Sequence, residues 1–209
     1  MKNRTKLILI VLFIFTSINA TGQGMLIKGG TSFASFRNIK ENGKHLLPFG
    51  YKKGLHLGIA YEEAISNNCF WEAGPMLHMK GSQENYPYKG KVSTVYIDVP
   101  ILLKAHFELA DDVFFYNVAG IYVGLGMFGS IHQGVTNKIE WSESLYGLKR
   151  FDFGFSLGAG FLFKHVQFGF GYDRGLLNIN SDTVEDKDKT KNNVLKLSFG
   201  YRFVKQAKK

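Results

Sequence analysis

Three sets of residues in this 209-residue chain have the chemistry of a functional site, if a fold brings them together. His56, His78 and His106 are candidate bases or metal ligands, and Ser156 and Ser198 are candidate nucleophiles. Glu62, Glu72, Lys104 and Arg202 suit either a salt-bridge cluster or a path for protons or ions. Gly124-Leu125-Gly126-Met127-Phe128-Gly129 matches the G-x-G-x-x-G of dinucleotide sites. None of these is complete in the sequence. A nucleophile needs a base and an orienting third group, and such a triad is recognised by geometry rather than by residue order. The dinucleotide fingerprint needs a strand before it and a helix after it. Here the glycines lie within or at the end of a strand pattern and a polar loop follows, so they read as glycines that make room in a crowded interior. No catalytic residue, metal ligand or cofactor is assigned.

The elements that would position these residues are strands. In 151–175, Phe151, Phe153, Phe155, Leu157, Ala159, Phe161 and Phe163 alternate with Asp152, Gly154, Ser156, Gly158, Gly160 and Leu162. After Lys164-His165 the alternation resumes with Val166, Phe168, Phe170 and Tyr172 against Gln167, Gly169, Gly171 and Asp173. A period of two with a short break is a hairpin. Six further segments alternate in the same way: 25–34, 51–62, 70–80, 95–107, 113–128 and 194–203. Pro100 removes one ladder hydrogen bond, which predicts a local bulge in the fourth strand.

Three observations place the bulky face of these eight strands in lipid. First, the connections alternate long and short, starting and ending long, as in outer-membrane barrels with long external loops and short periplasmic turns. Second, the outward position at the short-turn end is Tyr61, Trp71, Phe107, Phe115, Phe163, Phe168 and Phe203, an aromatic girdle at one depth. Phe33 and Phe151 mark a sparser upper ring. Third, the opposite face carries Lys28, Glu62, Glu72, Asp98, Lys104, Asp152, Asp173, Lys196 and Arg202. A Lys or Arg in lipid at mid-depth costs roughly 2–4 kcal/mol. Nine such charges would overwhelm a net stability of about 5–15 kcal/mol. The charged face is therefore the lumen, and a soluble ligand-carrying barrel would show the reverse. The expected fold is an all-β, eight-stranded antiparallel up-and-down transmembrane barrel whose lumen side chains nearly fill.

Residues 1–22 read as a cleaved secretory signal: Lys2, Arg4 and Lys6, then the apolar run Leu7 to Phe15, then a small polar exit. The cut falls before Gln23 or after Ala20, and 23–209 is the barrel domain. Without Lys2, Arg4 and Lys6 the charge falls from +9 to +6, with 23 basic against 17 acidic residues. No basic stripe suggests nucleic acid. The single Cys69 cannot form an internal disulfide and reads as an apolar strand residue. The expected contacts are outer-membrane lipid and, through loops 35–50, 81–92, 129–149 and 178–193, other envelope or secretion proteins. The charge run within 178–193 reads as a solvated loop that also suits a partner or surface sugars.

The pattern resembles the PorT-like outer-membrane β-barrel family over nearly all of 23–209. The resemblance rests on Lys28-Gly29-Gly30-Thr31-Ser32, on Tyr96-Ile97-Asp98-Val99-Pro100-Ile101-Leu102-Leu103-Lys104, on the Gly-aromatic hairpin Gly154 to Tyr172, and on the closing Leu197 to Phe203. The second of these is the most specific. It implies an outer-membrane barrel, with secretion across the envelope as the role of some members, and it carries over no catalytic residue. The expected role is a structural or interaction component of the envelope, in protein secretion or surface assembly. A narrow porin-like channel and a lipid-modifying enzyme are the alternatives.

Overall fold

The computed structural model describes residues 24–39, 50–84, 90–139, 141, 147–180 and 189–204. The proposed signal segment and its cleavage site lie outside the described residues, as do parts of all four long connections.

The elements are β1 (Gly24–Ile39), β2 (Lys52–Ser66), β3 (Cys69–Ala73), β4 (Met76–Glu84), β5 (Gly90–Ala110), β6 (Val113–Gln133), β7 (Val135–Lys138), β8 (Phe151–Phe163), β9 (Val166–Gly175) and β10 (Lys189–Val204). All pairings between neighbours are antiparallel, and β1 pairs with both β2 and β10. Hydrogen bonding then runs β10–β9–β8–β6–β5, and β5 returns to β2 through β3 and β4. The ladder closes on itself with eight positions, so the barrel has no free edge.

Ten labelled strands make eight positions for two reasons. β3 and β4 are one strand interrupted at Gly74-Pro75, and their registers against β2 and β5 continue unchanged across the gap. Pro75 cannot donate to a ladder, and Pro100 stands opposite on β5. The carbonyl of Pro75 accepts from the Ile59 amide at 3.1 Å, which holds the interruption against β2. The bulge expected at Pro100 is therefore absent. Pro100 pairs in register with Tyr122, and the missing donors of Pro75 and Pro100 fall together in one gap. The β5–β6 irregularities lie instead at Val95/Tyr96 and Glu108/Ala110. At the first, Met127 is the extra residue, so Phe128 joins Val95 on the outer face. β7 is the second departure, a short outer return that pairs only with β6.

The long connections are also shorter than the sequence reading drew them. β1 continues to Ile39, β4 to Glu84, β5 begins at Gly90, β6 reaches Gln133 and β10 begins at Lys189. These strands rise beyond the membrane. There both faces meet polar surroundings, so apolar alternation fades while the backbone ladder still satisfies its own hydrogen bonds.

Among the described residues a conventional apolar core forms near the outer mouth, where loop segments meet strand ends. Phe36, Ile139, Leu148 and Ile179 are buried together, with Val92, Ile131 and Trp141 packed against them. The backbone fixes these segments across the mouth: Ile139 N to Gly129 O at 2.9 Å, Lys149 N to Ile179 O at 2.8 Å and Ile179 N to Thr190 O at 2.9 Å.

Candidate functional site

Alternation along the closed ladder carries the even-numbered residues of β2, β5 and β10 inward up to the exposed strand ends at the short turns, and the interior is charged. Glu62, Glu72, Asp98, Lys104, Asp152 and Asp173 are buried in the lumen, and Lys28, Lys196 and Arg202 point into it with slight exposure. The structure separates these groups into two networks at different depths.

The lower network lies near the short turns. Lys104 pairs with Glu62 and, at 2.9 Å, with Glu72. Glu72 also pairs with Lys28, and Arg202 reaches Glu62 at 3.0 Å. The Lys104 ammonium sits 5.0 Å over the Tyr116 ring and donates to Gln167 at 3.3 Å. Arg202 stacks 5.4 Å over Phe70. The sequence placed Glu72 and Lys104 on adjacent strands at similar depth, and β3 and β5 put them there.

The upper network is centred on a residue the sequence reading passed over. Lys80 is completely buried and donates to both Asp98 and Asp152 at 3.0 Å. Its ammonium lies 4.6 Å over Tyr96 and 4.5 Å over Tyr122. Tyr122 and Asn192 donate to the same Asp152 oxygen at 3.1 and 2.9 Å, and His78 meets the other Asp98 oxygen at 3.0 Å. Lower down, Asp173 takes Ser156 and Lys196, the latter at 2.6 Å. The signal for Lys80 was present in the alternation: it follows His78 by two residues. The apolar alternation stops at Lys80, and the polar run Gly81-Ser82-Gln83-Glu84 that follows hides it as a loop boundary. With Lys80 counted, five acids meet five bases, each within ion-pairing distance of an opposite charge, while Lys52, also buried on the inward face of β2, donates instead to the Lys80 carbonyl at 3.4 Å.

A cavity of about 50 Å³ separates the networks, lined by Lys28, Glu72, Lys104, Tyr116, Lys196 and Ser198 among others. Charged groups and apolar ones such as Leu102, Val118 and Phe170 share its lining, and it is large enough for a few waters, not for a substrate. The glycines of the G-x-G-x-x-G run lie inward above it. A Cβ on Gly124 would overlap Asp98, one on Gly126 the Trp141 indole and one on Gly129 the Ile139 side chain. They make room, and no helix follows them.

The histidines divide as their depth requires. His56 and His78 face each other across β2 and β4 with ring centroids 5.7 Å apart. His106 sits near the turns, stacked 4.4 Å from Phe70 and close to Phe114 and Tyr116. Among the described residues no cluster of three or more ligating side chains is poised for a metal. One nucleophile–base contact does form, Ser198 Oγ with His56 Nε2 at 2.9 Å. Among the described residues no orienting group completes it, since His56 Nδ1 has no hydrogen-bond partner and the nearby Asp173 is bound to Ser156 and Lys196 instead.

On the outer wall, Phe107, Phe163, Phe168 and Phe203 are exposed at the short-turn end, with Tyr61, Trp71 and Phe115 half-buried beside them. Neighbours touch ring to ring: Tyr61–Trp71 at 5.5 Å, Phe107–Phe115 at 6.3 Å and Phe168–Phe199 at 5.0 Å. Phe161, Phe199 and Tyr201 join this belt, though the sequence reading did not assign them to it.

Residues 24–181 match a family model described as outer membrane protein beta-barrel domain. No curated protein matches the chain. Solved structures similar to it include Ail, the attachment invasion locus protein of Yersinia pestis, in complex with the heparin analogue sucrose octasulfate, at 18% identity over 88% of this chain and 100% of that one, TM-score 0.43. Neisserial surface protein A is 12% identical over 89% and 100%, TM-score 0.46. OprG from Pseudomonas aeruginosa is 16% identical over 90% and 99%, TM-score 0.46.

Proposed function

Because this chain belongs to the outer membrane protein beta-barrel domain family, we propose that it serves the envelope as a structural and interaction component, neither enzyme nor solute channel. The observation that carries this reading is the closed lumen. Ion pairs occupy the lower half, the Lys80 network the upper half, and the Phe36–Ile139–Leu148–Ile179 core caps the outer mouth. An eight-stranded interior is just wide enough for side chains to fill. The Ser198–His56 contact lies beneath that cap, without an orienting acid and without room for a lipid or a sugar. What remains available for work is the outer end, where β5 and β6 rise above the lipid and the β6–β7 return presents an exposed Val135. The resemblance of 96–104 and of the closing strand to PorT-like barrels directs this role toward secretion or surface assembly.

The test places a photo-crosslinking residue at Thr136 or Asn137 in the outer return, and at Leu157 on the lipid face, in native outer membranes. The expected result is the same protein adduct from both loop positions and none from Leu157. Lipid hydrolysis or acyl transfer by the purified protein, lost in S198A, would instead establish an enzyme.

A further inference from the structure

The outer wall carries a group of cations with no carboxylate partner among the described residues. Arg37 on β1 pairs in register with Lys191 on β10, Ile39 pairs with Lys189, and Asn193 pairs with Arg174 on β9. Alternation turns Arg37, Lys189, Lys191 and Arg174 to the same outward face. They lie just above the lipid. From Met25 to Phe33 on β1, and from Phe203 to Leu195 on β10, the outward residues span eight steps, roughly 27 Å along the strand and about 20 Å in height at the tilt of such barrels, most of an apolar belt about 25 Å tall. Arg37 and Lys191 each stand four residues beyond that limit. Such a height is that of the lipid headgroups.

Nothing described in the protein neutralises the group. No carboxylate pairs with Arg37, Arg174, Lys189 or Lys191 among the described residues, and Arg37 Nε is buried without a hydrogen-bond partner. The near polar side chains are neutral, with the Tyr172 hydroxyl donating to Asn193 Oδ1 at 3.0 Å. Burial, and then the nearby Arg37, Lys189 and Arg174, hold the Lys191 ammonium below its ordinary pKa. Crowded cations of this kind are relieved by an external anion. Two guanidinium forks beside an ammonium match the oxygens of a phosphate, and the apolar wall below matches acyl chains.

We propose that Arg37, Arg174 and Lys191, with Lys189 at their edge, form a site for the phosphate groups of the outer-leaflet glycolipid. The site depends on the position of the barrel in the outer membrane and not on the interaction role proposed above. The barrel wall is thereby tied to its lipid on one side, across β1, β10 and β9.

The full mature protein in nanodiscs tests this, with diphosphorylated lipid A and the same lipid stripped of phosphate, retention being read by native mass spectrometry. Each cation at a charged membrane surface contributes about fivefold, so R37Q/R174Q/K191Q should retain the phosphorylated lipid about a hundredfold less well. A control removing Lys91, Lys138 and Lys164 to Gln should retain it as the wild type does. Both variants must keep the unheated gel mobility of the folded barrel. Equal retention of stripped and phosphorylated lipid, or an equal loss in both variants, would overturn the proposal. If inorganic phosphate or a soluble sulfated polysaccharide displaces the lipid at matched concentration, the site is one for soluble anions and the lipid assignment fails.

Discussion

Lys80 shows how much one buried charge can organise. Its ammonium is shared by Asp98 and Asp152, lies over two tyrosine rings and has no contact with solvent. A buried pair of this kind need not stabilise the barrel relative to an apolar substitute, but removing one partner leaves charge stranded in a low dielectric. K80M should therefore lose about 3–5 kcal/mol, measured as a shift in the urea midpoint of barrels folded in lipid vesicles. Neutralising both acids as well, in K80M/D98N/D152N, should recover most of the loss, because no uncompensated charge remains. K196M should cost less, since Lys196 is partly exposed and holds only Asp173. Unchanged stability in K80M would show that water reaches this network and that the lumen is not dry there.

At the scale of an element, β8 has a lipid face and a lumen face one residue apart. Leu157 is 47% exposed on the outer wall, while Ser156 is 3% exposed and donates to Asp173. Leu157→Lys should cost roughly 2–4 kcal/mol for a lysine in mid-bilayer. Ser156→Lys meets Asp173 but overfills the interior, at about 1–3 kcal/mol. These ranges overlap, so labelling is the sharper measurement. With Cys69 replaced by Ala, single cysteines at 155 and 157 should react with a lipid-dissolved probe and those at 156 and 158 should not. Labelling without alternation would contradict the pleat assigned to β8. The cap offers a second test at this scale. Gly126→Val would overlap the Trp141 indole, which now stands edge-on to Tyr96 at 6.0 Å. In a Trp71→Phe background, acrylamide should quench Trp141 more strongly in the Gly126→Val variant than in its parent.

At the scale of the whole molecule, eight strands enclose a lumen that, among the described residues, is occupied by ten paired charges and closed over by an apolar cap. Channels of porin size need about 16–18 strands. Purified monomer in planar bilayers should give no stable conductance in the nanosiemens range, and steady openings of that size would show that the cap or the ion pairs part in the membrane. The outer end is built differently from the wall beneath it. There the strands outlast the lipid, two loops fold inward to close the mouth, and a cationic face turns outward at headgroup height.

Sequence alone determined the fold class, the strand number and the two faces. The reason is that a barrel in lipid repeats one local rule, bulky outward and small or charged inward, on every strand, so each segment reports its own orientation without knowledge of its neighbours. Glu62, Glu72, Asp98, Lys104, Asp152, Asp173, Lys196 and Arg202 were legible as lumenal on that ground. What the rule cannot carry is distance around the ring. Only the closed register brings Lys80 between Asp98 of β5 and Asp152 of β8, sets Arg202 against Glu62, and moves the effect of Pro100 onto the neighbouring gap at Pro75. The cap was likewise invisible, because Phe36, Ile139, Leu148 and Ile179 lie on two connections and one strand end with no shared period. The Arg37–Lys191–Arg174 face depends on the same closure: β1 and β10 are the two ends of the chain, and only the seam between them makes these cations neighbours.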